Sequence, residues 1–198
     1  MIKLLSLRTF RAHYPQAPRA DHYHNKYFFP PVTNGWYLGV PSGPNYRSLY
    51  LRITRAFTTL MAATGEGRLL FFTDSTATFL QPDINNPANK TSRQYFLQLG
   101  LSDDFKGALQ VSVRDFRVFL PHLLLMIRTY GVMPDVCFIN PAQTITGRFC
   151  KYGHLHLYAL TPAAEDQLAA AFEPAGLHML EGCYATFSGK LPGRRIAV

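Results

Sequence analysis

The chain has 198 residues, of which 47% are hydrophobic and 16% charged, with 20 Lys and Arg against 12 Asp and Glu for a net charge of +8. The apolar share suffices for a buried core in one domain and excludes a disordered chain. The basic balance, alongside 15 Phe and 11 Tyr, points to a polyanionic partner such as nucleic acid. Three widely spaced cysteines, Cys137, Cys150 and Cys183, exclude a disulfide framework and a CxxC metal clip and read as thiols of a reducing compartment. The longest apolar stretch, "VFLPHLLLMI" at 118 to 127, contains Pro121 and His122 and falls short of the ~20 residues of a membrane span. The opening "MIKLLSLRTF" is too brief for a secretory core. A soluble, cytoplasmic protein with no membrane partner is expected.

Residues 1 to 44 are read as a Pro- and aromatic-rich arm, because six prolines fall between 11 and 44 and proline suits neither helices nor central strands. Residues 45 to 198 are read as a single domain. "NYRSLYLRITRAFTTLMAATGEG" (45 to 67) places Leu49, Ile53, Phe57, Leu60 and Met61 at helical spacing. Asn45 caps this helix, Gly65 and Gly67 end it, and Arg47, Arg52 and Arg55 give it a basic surface. "RLLFFTDSTATFL" (68 to 80) reads as a strand, residues 81 to 106 mostly as loop, and "GALQVSV" (107 to 113) as a short strand. "RDFRVFLPHLLLMIRTYG" (114 to 131) reads as a second helix, kinked at Pro121 or starting near it, with Gly131 as C-cap.

Next come a strand, "PDVCFIN" (134 to 140), a hairpin-like connection, "PAQTITGRFCKYG", and a strand, "HLHLYAL" (154 to 160). "TPAAEDQLAAAF" (161 to 172) starts a helix with Thr161, then Pro162 at its first position and Glu165 and Asp166 in its early turns. "GLHMLEGCYATFSG" (176 to 189) closes as a strand or hairpin. The order predicts an α+β fold, an antiparallel sheet with helices on one face, RRM-like or ferredoxin-like.

The chemistry concentrates in "KYGHLHLYALTP", residues 151 to 162. Strand alternation places His154, His156 and Tyr158 on one face, and Leu155, Leu157 and Ala159 on the other, which packs on the helices. The histidine face then points to solvent or to a site. The two Cβ atoms would stand roughly 6 to 7 Å apart, close enough for both imidazoles to reach one cation. Asp74, ending the strand expected beside it, is the best third ligand. It would cap a turn equally well.

"GHLHLYAL" resembles the His-hydrophobe-His signature of the HUH nucleases, the replication initiators and relaxases that nick single-stranded DNA. The element order over residues 45 to 162 is similar to that of prophage and filamentous-phage replication proteins. The resemblance implies an RRM-like sheet whose two histidines, here His154 and His156, bind Mn²⁺ or Mg²⁺, and a tyrosine that attacks the scissile phosphate. Imidazole ligation favours Mn²⁺. Such enzymes carry the tyrosine on a later helix, often as Tyr-x-x-Lys. The helix after residue 160 has none, which leaves Tyr184, Tyr158 and Tyr152 as candidate nucleophiles.

Contacts to single-stranded DNA or RNA are expected from Arg47, Arg52, Arg55 and Lys151, and from the tail residues Lys190, Arg194 and Arg195. Phe71 or Phe72 would stack bases if it faced outward. Without metal, the histidines would contact nucleic acid directly or cover a solvated face. His22 and His24 read as surface residues, and His122 as a satisfied core residue. Two other functions fit the same residues. One is RNA binding or metal-independent processing, similar in architecture to CRISPR RNA endonucleases. The other is a non-catalytic inhibitor that uses the sheet to bind a partner protein.

Overall fold

A computed structural model describes residues 2–21, 26–43, 45–73, 78–80, 87–129 and 136–182. The chain runs β1 (Lys3–Ser6), α1 (Leu7–His13), β2 (Arg19–Asp21), β3 (Lys26–Phe28), β4 (Asn34–Gly39), α2 (Tyr46–Ala63), β5 (Arg68–Phe72) and α3 (Pro87–Gln98). It continues through β6 (Gly107–Ser112), a 3-10 turn (Val113–Asp115), α4 (Phe116–Thr129), β7 (Cys137–Ile139), β8 (Ile145–Phe149), β9 (Leu155–Ala159), α5 (Pro162–Ala171) and β10 (His178–Leu180). Eight strands form one sheet in the order β1-β6-β5-β7-β8-β9-β4-β10, and β2 pairs with β3 separately. Every neighbouring pair in the large sheet is antiparallel. The fold is α+β, an antiparallel sheet with helices packed against it.

Alternation along β5 shows how the sheet is covered. Leu69 and Phe71 pack in the main core with Phe57 of α2 and Phe116 and Phe119 of α4. Leu70 and Phe72 join Phe10 of α1, Ala17, Ala108, Cys137 and Ile139 in a smaller cluster. Neighbouring side chains on a strand point to opposite faces, so α1 is the exception to helices on one face and covers part of the other. Both Phe71 and Phe72 are therefore buried, and neither is a stacking platform.

The helix starts follow their sequence signals. The Asn45 side chain accepts from Ser48 N while the Ser48 hydroxyl faces Asn45 N, a reciprocal cap. Thr161 accepts from Ala164 N with Pro162 in the first turn. Several elements differ from the sequence reading: the expected arm already contributes β1 to the large sheet, the helix α1 and the β2–β3 pair. β4 lies inside the sheet between β9 and β10, although it belongs to the expected arm. Its six residues contain no proline, and Pro30, Pro31 and Pro41 flank it instead of interrupting it. β8 is a full strand between β7 and β9, where a connection was expected. α3 is a helix where loop was expected. Its buried stripe is Asn89, Ser92 and Phe96, helically spaced but polar at two of three positions, so it gives no apolar periodicity.

The α3–α4 contact is polar too. Ser92 Oγ lies 3.0 Å from His122 Nδ1, and the Tyr95 ring stacks on the imidazole at 4.3 Å. His122 is thus a satisfied, partly buried residue, as expected. Burial pushes it below the ordinary histidine value of 6.5. The unfolded chain then takes up its proton first, so the stability present above about pH 6.5 is lost as pH falls through the folded value.

Two outcomes follow. Leu157→Ala removes a fully buried side chain from the main core and should cost about 2–5 kcal/mol in urea unfolding. A loss below about 1 kcal/mol would contradict the face assignment. His122→Gln should flatten part of the fall in urea midpoint between pH 7 and pH 5, and an unchanged acid slope would contradict the burial argument.

Candidate functional site

β9 is an interior strand, bonded to β8 on one side and β4 on the other. Leu155, Leu157 and Ala159 belong to the main core, so the histidines lie on the opposite face, as alternation predicts. That face is not solvated here. His154 is 4% exposed and His156 2%, which removes the reading of a polar outer face.

The two histidines have different surroundings. His156 stands opposite Arg148 on β8 and Tyr37 on β4, and its ring meets the Tyr37 ring perpendicularly at 4.8 Å. His154 precedes β9. Extending the register by one residue sets it opposite Gly39, because Leu155 pairs with Leu38. On the far side of β4, His178 of β10 also pairs with Gly39. A Cβ placed on Gly39 would stand 3.2 Å from His178 Nε2. The His178 ring, with the Leu180 side chain, thus lies close over Gly39, and His178 and His154 flank that position from either side of β4. Both histidines line a cavity of about 190 Å³ with Gly39, Tyr152, Ser42 and Leu180, and His156 does not line it. Burial lowers the His154 pKa, and the neighbouring His178 lowers it further.

The β8–β9 turn carries Tyr152 to this cavity. Gly153 N donates to Cys150 O, and Cys150 N donates to His154 O. Gly153 has φ +81°, and a Cβ there would meet Leu49 of α2 at 3.0 Å, so both conformation and space call for glycine. Arg128 of α4 braces the turn. Its guanidinium donates to Lys151 O at 3.2 Å, hydrogen-bonds the Tyr46 hydroxyl and covers the Tyr46 ring at 3.4 Å. Beside it, burial raises the Tyr50 hydroxyl pKa well above its ordinary value. The exposed Lys151 ammonium lies 5.2 Å from the centre of the Tyr152 ring.

Among the residues expected from sequence, Tyr152 and His154 come together at the cavity and Lys151 adjoins them. Tyr158 is on the same face but packs against Phe29, the ring centres 4.4 Å apart and the planes tilted by 41°. Arg47 and Arg55 are exposed on α2. Arg52 donates to Pro41 O and Ser42 O, so it anchors the loop after β4. Asp74, Tyr184, Lys190, Arg194, Arg195, His22 and His24 lie outside the described residues. β5, which leads to Asp74, is not the neighbour of β9. β7 and β8 intervene, a separation of roughly 14 Å at sheet spacing.

Sequence reasoning missed His178 and Tyr37. Their signal was the pattern Gly35-x-Tyr37-x-Gly39, which clears one face of β4. No group of three His, Cys, Asp or Glu side chains that could hold a metal occurs among the described residues. Among the described residues the cavity is lined by two imidazoles and no carboxylate.

The pairing of His154 with His178 has a direct readout. His178→Gln should raise the His154 midpoint in an NMR titration toward 6.5 without reaching it, because burial is the larger cause. No movement would show that the two imidazoles do not sense each other.

No family model matches this chain, and neither a curated protein nor a solved structure matches it.

Proposed function

We propose that the protein binds single-stranded nucleic acid on the sheet face opposite α2 and α4, with a backbone phosphate at the cavity between His154 and His178, and that it serves replication of a phage or mobile element. The observation that carries this is that His154 and His178, from either side of β4, line one cavity with Tyr152. Imidazole N–H groups donate to phosphate oxygens, and Lys151 adds charge beside them. The net charge of +8 supports a polyanionic ligand. In the HUH-like enzymatic form, the Tyr152 oxygen would lose its proton and bond to phosphorus as the P–O3′ bond breaks, leaving a phosphotyrosyl link to the 5′ side and a 3′-oxygen that takes up a proton to become a free hydroxyl. Mn²⁺ or Mg²⁺ would supply neutralisation of the phosphate charge there and needs a further ligand from beyond the described residues.

A second reading has an observation in its favour. Two histidines in one cavity, one held toward its neutral form by burial, suit acid–base cleavage of RNA through its 2′-hydroxyl without metal.

Anisotropy with labelled single-stranded DNA and RNA should show binding that weakens steeply between 50 and 200 mM salt, as expected for several phosphate contacts. His154→Gln with His178→Gln should weaken it, and absence of binding at low salt would overturn the proposal. For the enzymatic form, incubation of single-stranded DNA with Mn²⁺ should give a denaturation-resistant adduct that Tyr152→Phe abolishes. Cleavage of RNA but not DNA in the presence of chelator would favour the second reading.

A further inference from the structure

β4 carries Gly35, Tyr37 and Gly39 at alternate positions, so all three share the histidine face. Neither glycine leaves a gap. The Tyr158 ring from β9 lies over Gly35, where a Cβ would stand 2.6 Å from its Cδ1. Over Gly39 lie the His178 ring and the Leu180 side chain from β10, each 3.2 Å from where a Cβ would stand. Tyr37 stands between them, held perpendicular to His156 and still 40% exposed. Rings from three strands thus form one strip along β4, roughly 14 Å from Gly35 to Gly39 at strand rise. One end reaches the cavity with His154, and the exposed Lys151 lies near that end beside Tyr152.

A side chain at 35 would displace the Tyr158 ring, and one at 39 would press on the His178 ring and Leu180. The occupant that matches it has flat apolar faces joined by a negatively charged chain, because aromatic faces along the strip lead to cationic and hydrogen-bonding groups at its end.

We propose that this strip is a nucleobase-stacking platform centred on Tyr37. Tyr37 takes a base on its exposed ring, and the backbone continues toward the His154–His178 cavity. The inference rests on the nucleic-acid reading above and adds that bases, not only phosphates, are bound. Stacking on a tyrosine face makes no base-edge hydrogen bonds, so recognition by the strip is tolerant of sequence.

The test uses the full chain and two labelled 12-mers of single-stranded DNA with equal phosphates, one all-thymidine and one with its central four positions abasic. The platform predicts that the abasic oligomer binds about 5- to 150-fold more weakly, the range of one stacked base. Tyr37→Ala should lose affinity for the thymidine oligomer by a similar factor and should discriminate little between the two oligomers. Tyr37→Trp should retain both affinity and discrimination. The abasic comparison is made on the wild-type chain, so it stands even if Tyr37→Ala fails to fold. Equal binding of both oligomers by a wild-type chain that shows the expected salt dependence overturns the platform and leaves the phosphate reading intact. Absence of binding to either oligomer overturns both.

Discussion

Phe57 of α2 is the contact on which the arrangement depends. Its ring packs against Phe116 of α4 at 5.5 Å and against Phe138 and Phe149 of the sheet, each at 5.0 Å. Phe71 joins through Phe116, Phe119 and Phe138. This aromatic cluster commits one face of the central strands to the helices. Strand alternation then leaves no choice for the other set of side chains. Arg148, His156 and Tyr37 form a row on the opposite face because Phe149, Leu155 and Leu38 are required in the core. A register slip of one residue in β8, β9 or β4 would turn Arg148, His156 or Tyr37 toward Phe57.

The opposite face is not uniform. Over β5, β6 and β7 it is covered by Phe10, and Arg11 of the same helix lies near the Phe10 and Phe72 rings and donates to Ala17 O and Pro18 O. That half is a second small core. Over β8, β9, β4 and β10 the residues change to Thr, Arg, His, Tyr and Gly. The first half spends its donors and rings on its own packing, and the second coincides with the strands nearest the cavity. The division of one sheet face into a structural half and a polar half confines the candidate site to four strands.

Much of this was legible in the sequence where one local rule decides. Alternation in "HLHLYAL" correctly assigned Leu155 and Leu157 to the core, and the caps at Asn45 and Thr161 follow from side-chain oxygens placed before helical periodicity. The misses share a cause. α3 hides its inward face behind Asn89 and Ser92, which are buried by tertiary contact and not by hydrophobicity. β8 is short and broken by Gly147 and Arg148, so its pattern resembles a connection. β4 was hidden by the prolines around it. The partner of His154 could not be read at all. It depends on β4 and β10 being neighbours, and a pairing between residues 39 and 178 leaves no mark on either segment beyond a glycine where a side chain would otherwise stand.

The same geometry separates the tyrosines, which sequence left equivalent. Tyr158 lies four residues along β9 from His154, roughly 14 Å away at strand rise, and its ring is engaged by Phe29 and by the space above Gly35. Tyr152 lies two residues before His154 on a turn that Gly153 and Arg128 hold in place, and it lines the cavity. A nucleophile must approach phosphorus from a position fixed relative to the groups that hold the phosphate, and a ring packed into a strip cannot also do so at its far end. On the nucleic-acid reading proposed above, Tyr158 and Tyr37 would meet bases and Tyr152 the backbone. The division follows the strand direction, with aromatic faces toward Gly35 and hydrogen-bonding groups toward Gly39.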